Sequence, residues 1–398
     1  MSRRALLVLF LAVFVDLLGF GIIIPLLPLY ADQLDASDVA IGLLLASFSL
    51  MQFLCAPLWG RLSDRVGRRP ILLLGLGSSC VFYGLFAFAS WQASLLWMFV
   101  ARIGAGMAGA TIPTAQAYIA DVTAPQRRAR RMALLGMAFG LGFTFGPLIG
   151  AVAVGWVGPG QLPVGPGVAA SGLSGTAFLI GLFWLPEPPR RRPVQTTVAA
   201  SRFVWSVLWS RRVSRSVPWL VASSFLVTLA FANFETTLSR YVKDVFGFSY
   251  RQLFLLFAGV GLTLAVAHGA LVRPLVSRMR ELPTIVLGCL LLGAGMAGLA
   301  LAAAYNSKAS LVGPALLTVV GYAALPPSLQ ALLSRRSDAE VQGAVLGVGQ
   351  SASALARILG PIMGNVLYSL HPAHNLPYTS GALIAGLVLL LSVTVCRL

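Results

Sequence analysis

Four ionisable residues stand inside apolar runs of this 398-residue chain: Asp16 in "LAVFVDLLGF", Arg102 in "FVARIGAG", Glu235 in "FANFETTLSRY" and Arg357 in "ALARILGP". An ionised group in hydrocarbon is costly unless it is paired or wetted, so such residues mark ion or substrate pathways. A carboxyl there can trade a proton for a cation, whereas a guanidinium keeps its charge and serves as a countercharge or an anion site. At about 1.5 Å per helical residue, Asp16 lies about 15 Å from one edge of its run and Arg102 about 12 Å from the opposite edge of its own, both near mid-depth. They are expected to meet, either as a fixed salt bridge or as a coupling pair. Glu235 and Arg357 differ in depth by about 7 Å, within the combined reach of two long side chains. Glu235 sits among aromatics and is the better candidate for proton or cation exchange. Asp121 and Arg240, near the edges of their runs, read as anchors.

The elements that must carry these residues are membrane helices. Hydrophobic residues make up 58% of the chain and only 10% are charged. The apolar residues come in runs of about twenty, the length that crosses roughly 30 Å of hydrocarbon. Twelve such spans are predicted, giving an all-α polytopic membrane protein. The stretch 113–150, "PTAQAYIADV…GFTFGPLIG", lies without gaps on 327–364, "PSLQALLSRR…LARILGPIMG", at an offset of 214 that pairs Pro113 with Pro327, Gln116 with Gln330 and Gly146-Pro147 with Gly360-Pro361. Two pseudo-symmetric six-span halves are the simplest account. They are read as 1–186 and 217–398, joined by a linker over 187–216 that contains a basic interfacial helix, "SRFVWSVLWSRRVSRS".

The formal net charge of +17 raises nucleic acid as a partner, and the position of the charges excludes it. Arginines such as Arg3, Arg65, Arg128, Arg191 and Arg335 all fall on one side of the twelve spans, which is the positive-inside pattern and not a basic stripe on a soluble module. Both termini and the linker are therefore expected in the cytoplasm of a cell-membrane protein, facing anionic headgroups. The N-terminal run continues past Asp16 without a small-residue cleavage site and reads as an uncleaved first span. The four cysteines lie within spans and point to packing, not to a disulfide framework. His371 and His374 in "HPAH" share a loop without further ligands, so no metal site is assigned.

The turn after the second span, "GRLSDRVGRRP", concentrates charge as Gly60, Asp64, Arg65, Gly67, Arg68 and Arg69. Its arginines obey the positive-inside rule, Asp64 can pair with them or cap a helix, and the two glycines permit tight backbone. The order Gly-x-Leu-x-Asp-Arg-x-Gly-Arg-Arg resembles a motif of the major facilitator superfamily. "DLLGFGIIIPLLPLY", "RIGAGMAGA" and "GLGFTFGPLIG" resemble three further motifs of its twelve-span drug/proton antiporter branch. "GLLLASFSLMQFLCAPLWGRLSDRVGRRPILLL" and "AYIADVTAPQRRARR" look especially like the tetracycline exporters. The resemblance implies two six-helix bundles around a cavity that opens alternately to each side, with the charged turn as a cytoplasmic gate. Two positions depart from it. Phe82 stands where tetracycline exporters carry an aspartate, and in the related loop "GALVRPLVSRMRELP" Ser277 stands where the repeat would place an acid.

Gly142, Gly146 and Gly150 recur every four residues and Pro147 interrupts the helical ladder, with Gly360 and Pro361 repeating the pattern. This serves close packing or, as the resemblance implies, a hinge that seals the cavity. No phosphate-binding Gly-rich loop or enzyme constellation is found, so no cofactor is expected and energy must come from an ion gradient. The expected function is proton-coupled efflux of small amphiphilic or drug-like compounds by a monomer in the bilayer. A facilitator or proton symporter of organic anions, using Arg102 and Arg357, is the alternative; a non-transporting receptor or scaffold is a third reading.

Overall fold

The computed structural model describes residues 3–109, 111–123, 125–155, 161–187, 208–209, 213–272, 281–305, 307–338 and 341–397. Most of the linker and Ser277 lie outside the described residues. Among the described residues the regular elements are helices, apart from one isolated bridge between Val213 and Ser337.

Among the described residues ten helical stretches are long and apolar enough to cross a membrane, and two shorter apolar ones, Met137–Ala153 and Leu376–Ser392, complete the twelve. Spans 1 to 6 are Ala5–Gln33, Asp38–Val66, Arg68–Trp91, Leu95–Val122, Pro125–Ala153 and Gly165–Trp184. Spans 7 to 12 are Val217–Asp244, Tyr250–Ala270, Glu281–Ala302, Lys308–Arg335, Gln342–Ser369 and Leu376–Arg397. Local chemistry sets the ends. Ser37 Oγ accepts from the Ala40 amide at 3.3 Å to start span 2, and Ser307 does the same for Ala309 at the start of span 10. Large apolar side chains such as Val152, Leu383, Phe183 and Val81 remain exposed. On a chain of this composition they form the surface that lipid solvates.

The chain packs as two compact units: residues 1–196 with 248–265, and residues 197–247 with 266–398. In the first, span 1 lies on span 5 with backbone against backbone. A Cβ on Gly21 would stand 2.7 Å from the Gly142 carbonyl oxygen, and one on Gly146 would stand 2.7 Å from that of Leu18. A Cβ on Gly150 would stand 2.5 Å from the Phe254 ring of span 8, and Gly261 of span 8 lies against the span 5 backbone at Phe143. Span 8 thus belongs with the first unit by packing, although it follows span 7 in sequence.

In the second unit, span 7 lies on span 11, where a Cβ on Gly360 would stand 2.6 Å from that of Ala232. Gly360 and Ala232 are the residues 214 positions after Gly146 and Leu18. The offset read from the sequence therefore recurs in space, each half using a small residue at the same place to bring two helices together. Pro147 and Pro361 are accommodated inside their helices.

Gly146→Ala is expected to destabilise the protein by about 1–3 kcal/mol, because the added methyl meets backbone that cannot turn aside. Gly172→Ala is the control, since a Cβ there meets nothing within 4 Å. Thermal unfolding in detergent should show a lowered midpoint for the first variant only. Equal midpoints would mean that the span 1 to span 5 approach does not limit stability.

Candidate functional site

In the first unit, Asp16 looks from span 1 toward spans 3 and 6. Its Oδ1 accepts a hydrogen bond from Ser174 Oγ at 2.9 Å, and Ser79 is a second partner. Gly19 makes room on the same helix: a Cβ there would lie 2.9 Å from the Tyr83 ring and 3.3 Å from Ser174 Oγ. Arg102 is buried, its guanidinium 4.6 Å from the centroid of the Phe48 ring in span 2, and its Nε is without a hydrogen-bond partner. A cation over an aromatic face keeps part of its stabilisation away from water. Phe48 continues to Phe20 and on to Phe143, with ring centroids 5.6 and 5.8 Å apart.

Asp16 and Arg102 form no ion pair, contrary to the expectation that they meet. Depth along a helix fixes one coordinate, and the side each helix presents decides the other: Asp16 is turned to the serines and Arg102 to Phe48. Tyr83 is the electrostatic neighbour of both.

The second unit holds the other two intramembrane charges. Glu235 is half-buried, Arg357 is exposed, and the two act on each other electrostatically without closing into an ion pair. Tyr322 of span 10 is an electrostatic neighbour of both and a hydrogen-bond partner of Thr228. Its ring stacks on Phe231 with centroids 3.7 Å apart and planes 5° from parallel, and Phe234 adds a second ring at 5.6 Å from Phe231. The group offers a carboxyl, a guanidinium and an aromatic plate. Tyr322 was not singled out by sequence, since a lone tyrosine in an apolar span carries no spacing signal.

Arg240, expected as an edge anchor, is buried in a network. Its Nη1 donates to Asn365 Oδ1 at 3.2 Å and its guanidinium lies 4.5 Å from the Tyr368 ring centroid, while Tyr368 donates to Asp244 Oδ2 at 2.8 Å. His374 stacks on Tyr368 at 4.3 Å. This set ties span 7 to span 11.

That turn is built around Arg68. Its guanidinium meets Asp64 at 2.7 Å and Asp121 at 2.8 Å and donates to Ser63 Oγ at 2.6 Å. Asp121, also expected as an anchor, thus ties span 4 to the turn. The helix-capping role left open for Asp64 is filled by Glu187 instead, which accepts from the Arg68 amide at 2.8 Å and the Arg69 amide at 3.2 Å. Arg69 donates to the Leu182 carbonyl at 2.6 Å, and Arg65 is exposed. Gly67 takes φ +121°, a conformation that glycine alone adopts without strain. Gly60 differs: it lies inside the span 2 helix and a Cβ there meets nothing within 4 Å, so tight backbone is not its reason.

A double-mutant cycle of Asp16→Asn with Arg102→Lys is expected to give a coupling of less than about 1 kcal/mol in unfolding free energy, the remainder transmitted through Tyr83. A coupling of about 3–5 kcal/mol would indicate a direct buried pair.

Comparison with known proteins agrees with this architecture. The Major Facilitator Superfamily model matches residues 9–361. The class C tetracycline resistance protein of Escherichia coli is 33% identical over 377 residues, 92% of this chain and 90% of the relative. The crystal structure of the human organic anion transporter MFSD10 (TETRAN) superposes with a TM-score of 0.70 at 26% identity, covering 98% of this chain and 99% of that one. A bacterial homolog of the human lysosomal transporter Spinster, inward-facing and occupied, gives a TM-score of 0.78 at 15% identity over 100% of this chain and 98% of its own, a likeness of fold. With the family model spanning most of its length, the twelve-span chain belongs to the Major Facilitator Superfamily.

Proposed function

We propose that this protein exports small amphiphilic, drug-like compounds from the cell in exchange for protons, working by alternating access as a monomer in the cell membrane with both termini in the cytoplasm. The observation that carries the reading is the Glu235, Arg357 and Tyr322 group, where a half-buried carboxyl has a guanidinium within electrostatic reach but unpaired with it. A carboxyl so placed can take a proton in one state and give it up when a cation arrives. Relatives that are named tetracycline resistance proteins, at 32–33% identity over most of the chain, support drug efflux. Phe82 in place of their aspartate argues for a substrate other than tetracycline. Asp16, with its two serine partners, is the second candidate for proton coupling. The halves 1–186 and 217–398 are taken as the two repeats that alternate, a reading supported by the repeated packing at Gly146 and Gly360, with span 8 leaving its half to pack on span 5 in the state described.

A second reading, transport of organic anions, is favoured by the exposed Arg357 and by the anion-transporting structural relative at 26% identity. Proteoliposomes with an imposed pH gradient separate the two: an exporter of cations concentrates ethidium against the proton gradient, and an anion symporter concentrates fluorescein along it.

Glu235→Gln keeps the shape of the protonated carboxyl but cannot release a proton. It is expected to abolish uphill ethidium transport and to make the residual flux independent of the pH gradient, while downhill exchange of a neutral compound continues. Unchanged proton-driven accumulation would move the coupling role to Asp16.

Asp64→Asn is expected to lower turnover about tenfold with substrate affinity within about twofold, as for loss of a group that acts in switching and not in binding. A loss confined to affinity, measured by equilibrium binding, would remove this turn from the gate.

A further inference from the structure

Glu187 is a charged residue that the transport reading does not use. It follows span 6 in "LPEPP", where sequence shows only the start of a linker. Its two carboxylate oxygens nevertheless bind the first two amides of span 3, Oε1 to Arg68 and Oε2 to Arg69. The first turn of a helix leaves its amides without partners and concentrates positive potential, so a carboxylate is the ideal occupant. The residue that would ordinarily supply a cap from within the chain is Gly67, which has no side chain, and its φ of +121° brings it against the Glu187 carboxylate. A Cβ on Gly67 would lie 2.6 Å from Glu187 Oε1. Residue 67 is therefore glycine for two reasons, its backbone conformation and the space that Glu187 takes.

The segment carrying Glu187 is itself fastened. Leu185 is buried with Leu9, Val13, Leu72 and Tyr118. Tyr118 Oη donates to the Pro186 carbonyl at 2.7 Å, and Arg69 holds the Leu182 carbonyl. Arg68 is thus gripped twice. Glu187 holds its backbone from span 6, while Asp64 of span 2 and Asp121 of span 4 hold its side chain. Span 2 ends at Val66 and span 3 begins at Arg68, so Gly67 is a one-residue hinge, and the direction in which span 3 leaves it decides where the Arg68 guanidinium falls.

We propose that Glu187 is a positioning residue of the gate: by capping span 3 from the end of span 6, it fixes Arg68 in the one place where Asp64 and Asp121 can both reach it, and so fastens the start of the linker to the gate. The proposal rests on the gate assignment for the Asp64 turn. Loss of Glu187 frees the hinge, Arg68 leaves one or both carboxylates, and the gate closes less often without any change at the substrate site.

The test uses the full-length protein carrying Glu187→Ala, Glu187→Gln or Glu187→Asp. Amide hydrogen exchange reads the positions: a cap that acts only locally loosens 68–72, whereas a positioning residue also loosens 60–66, whose carboxylate and serine Arg68 holds. Exchange is expected to rise in both segments for Ala, less for Gln, and to return toward wild type for Asp. Turnover of ethidium is expected to fall about tenfold in Glu187→Ala, with its dissociation constant within about twofold. Exchange that rises only in 68–72, or in neither segment, overturns the proposal whatever the transport assay shows. Wild-type turnover in Glu187→Ala despite loosening of both segments overturns it as well. The gate assignment fails separately, through Asp64→Asn. Should wild-type protein move no ethidium, the export reading falls, and the exchange data still decide the placement of Arg68.

Discussion

Hydrocarbon solvates neither a charge nor an unpaired peptide group, and this constrains the polar side chains within the described spans. Helices satisfy the backbone within each span. The side chains that remain polar are either closed into networks, as Arg240 is with Asn365 and Tyr368, or left open toward one another, as Glu235 and Arg357 are. A closed network stabilises a helix pair and resists change. An open pair has alternatives, and a transporter needs a site whose charges find different partners in different states.

Close approach of helices is the second constraint. In lipid, apolar side chains gain little by meeting each other instead of the surrounding chains, so association depends on contact at short range. Gly21, Gly142 and Gly146 let spans 1 and 5 touch through their backbones, and Gly360 and Ala232 do the same for spans 7 and 11. These contacts hold Asp16 on span 1 and Glu235 on span 7 within rigid helix pairs, so a carboxylate can be placed to within a side-chain length without a loop to carry it.

The twelve spans, the duplication and the intramembrane charges were legible because each is a property of sequence along one axis: length of an apolar run, a constant offset, a charge at a given depth. Glu235 and Arg357, matched in depth, lie on spans that pack side by side and act on each other electrostatically without an ion pair. Asp16 and Arg102 matched in depth equally well and yet point to different neighbours, because depth says nothing about which face a helix turns to its partners. Glu187 shows a different limit. Its role depends on a glycine 120 residues earlier in the chain having no side chain, a relation that neither local motif reveals alone.

The two units use one scaffold for unlike chemistry. Residues 214 positions before Glu235 and Arg357 are Gly21 and Phe143, and these lie together where span 1 meets span 5, a Cβ on Gly21 falling 3.5 Å from the Phe143 Cα. The duplicated geometry thus brings position 21 to position 143 as it brings 235 to 357, but the first unit fills the place with a glycine and an aromatic ring. Its own carboxylate stands five residues earlier, at Asp16, facing the opposite way toward Ser174. Duplication supplied two equivalent helix contacts, and the charges were placed on them independently. The asymmetry gives the two carboxylates different surroundings, a pair of hydroxyl partners for Asp16 and, for Glu235, a guanidinium that acts on it without an ion pair.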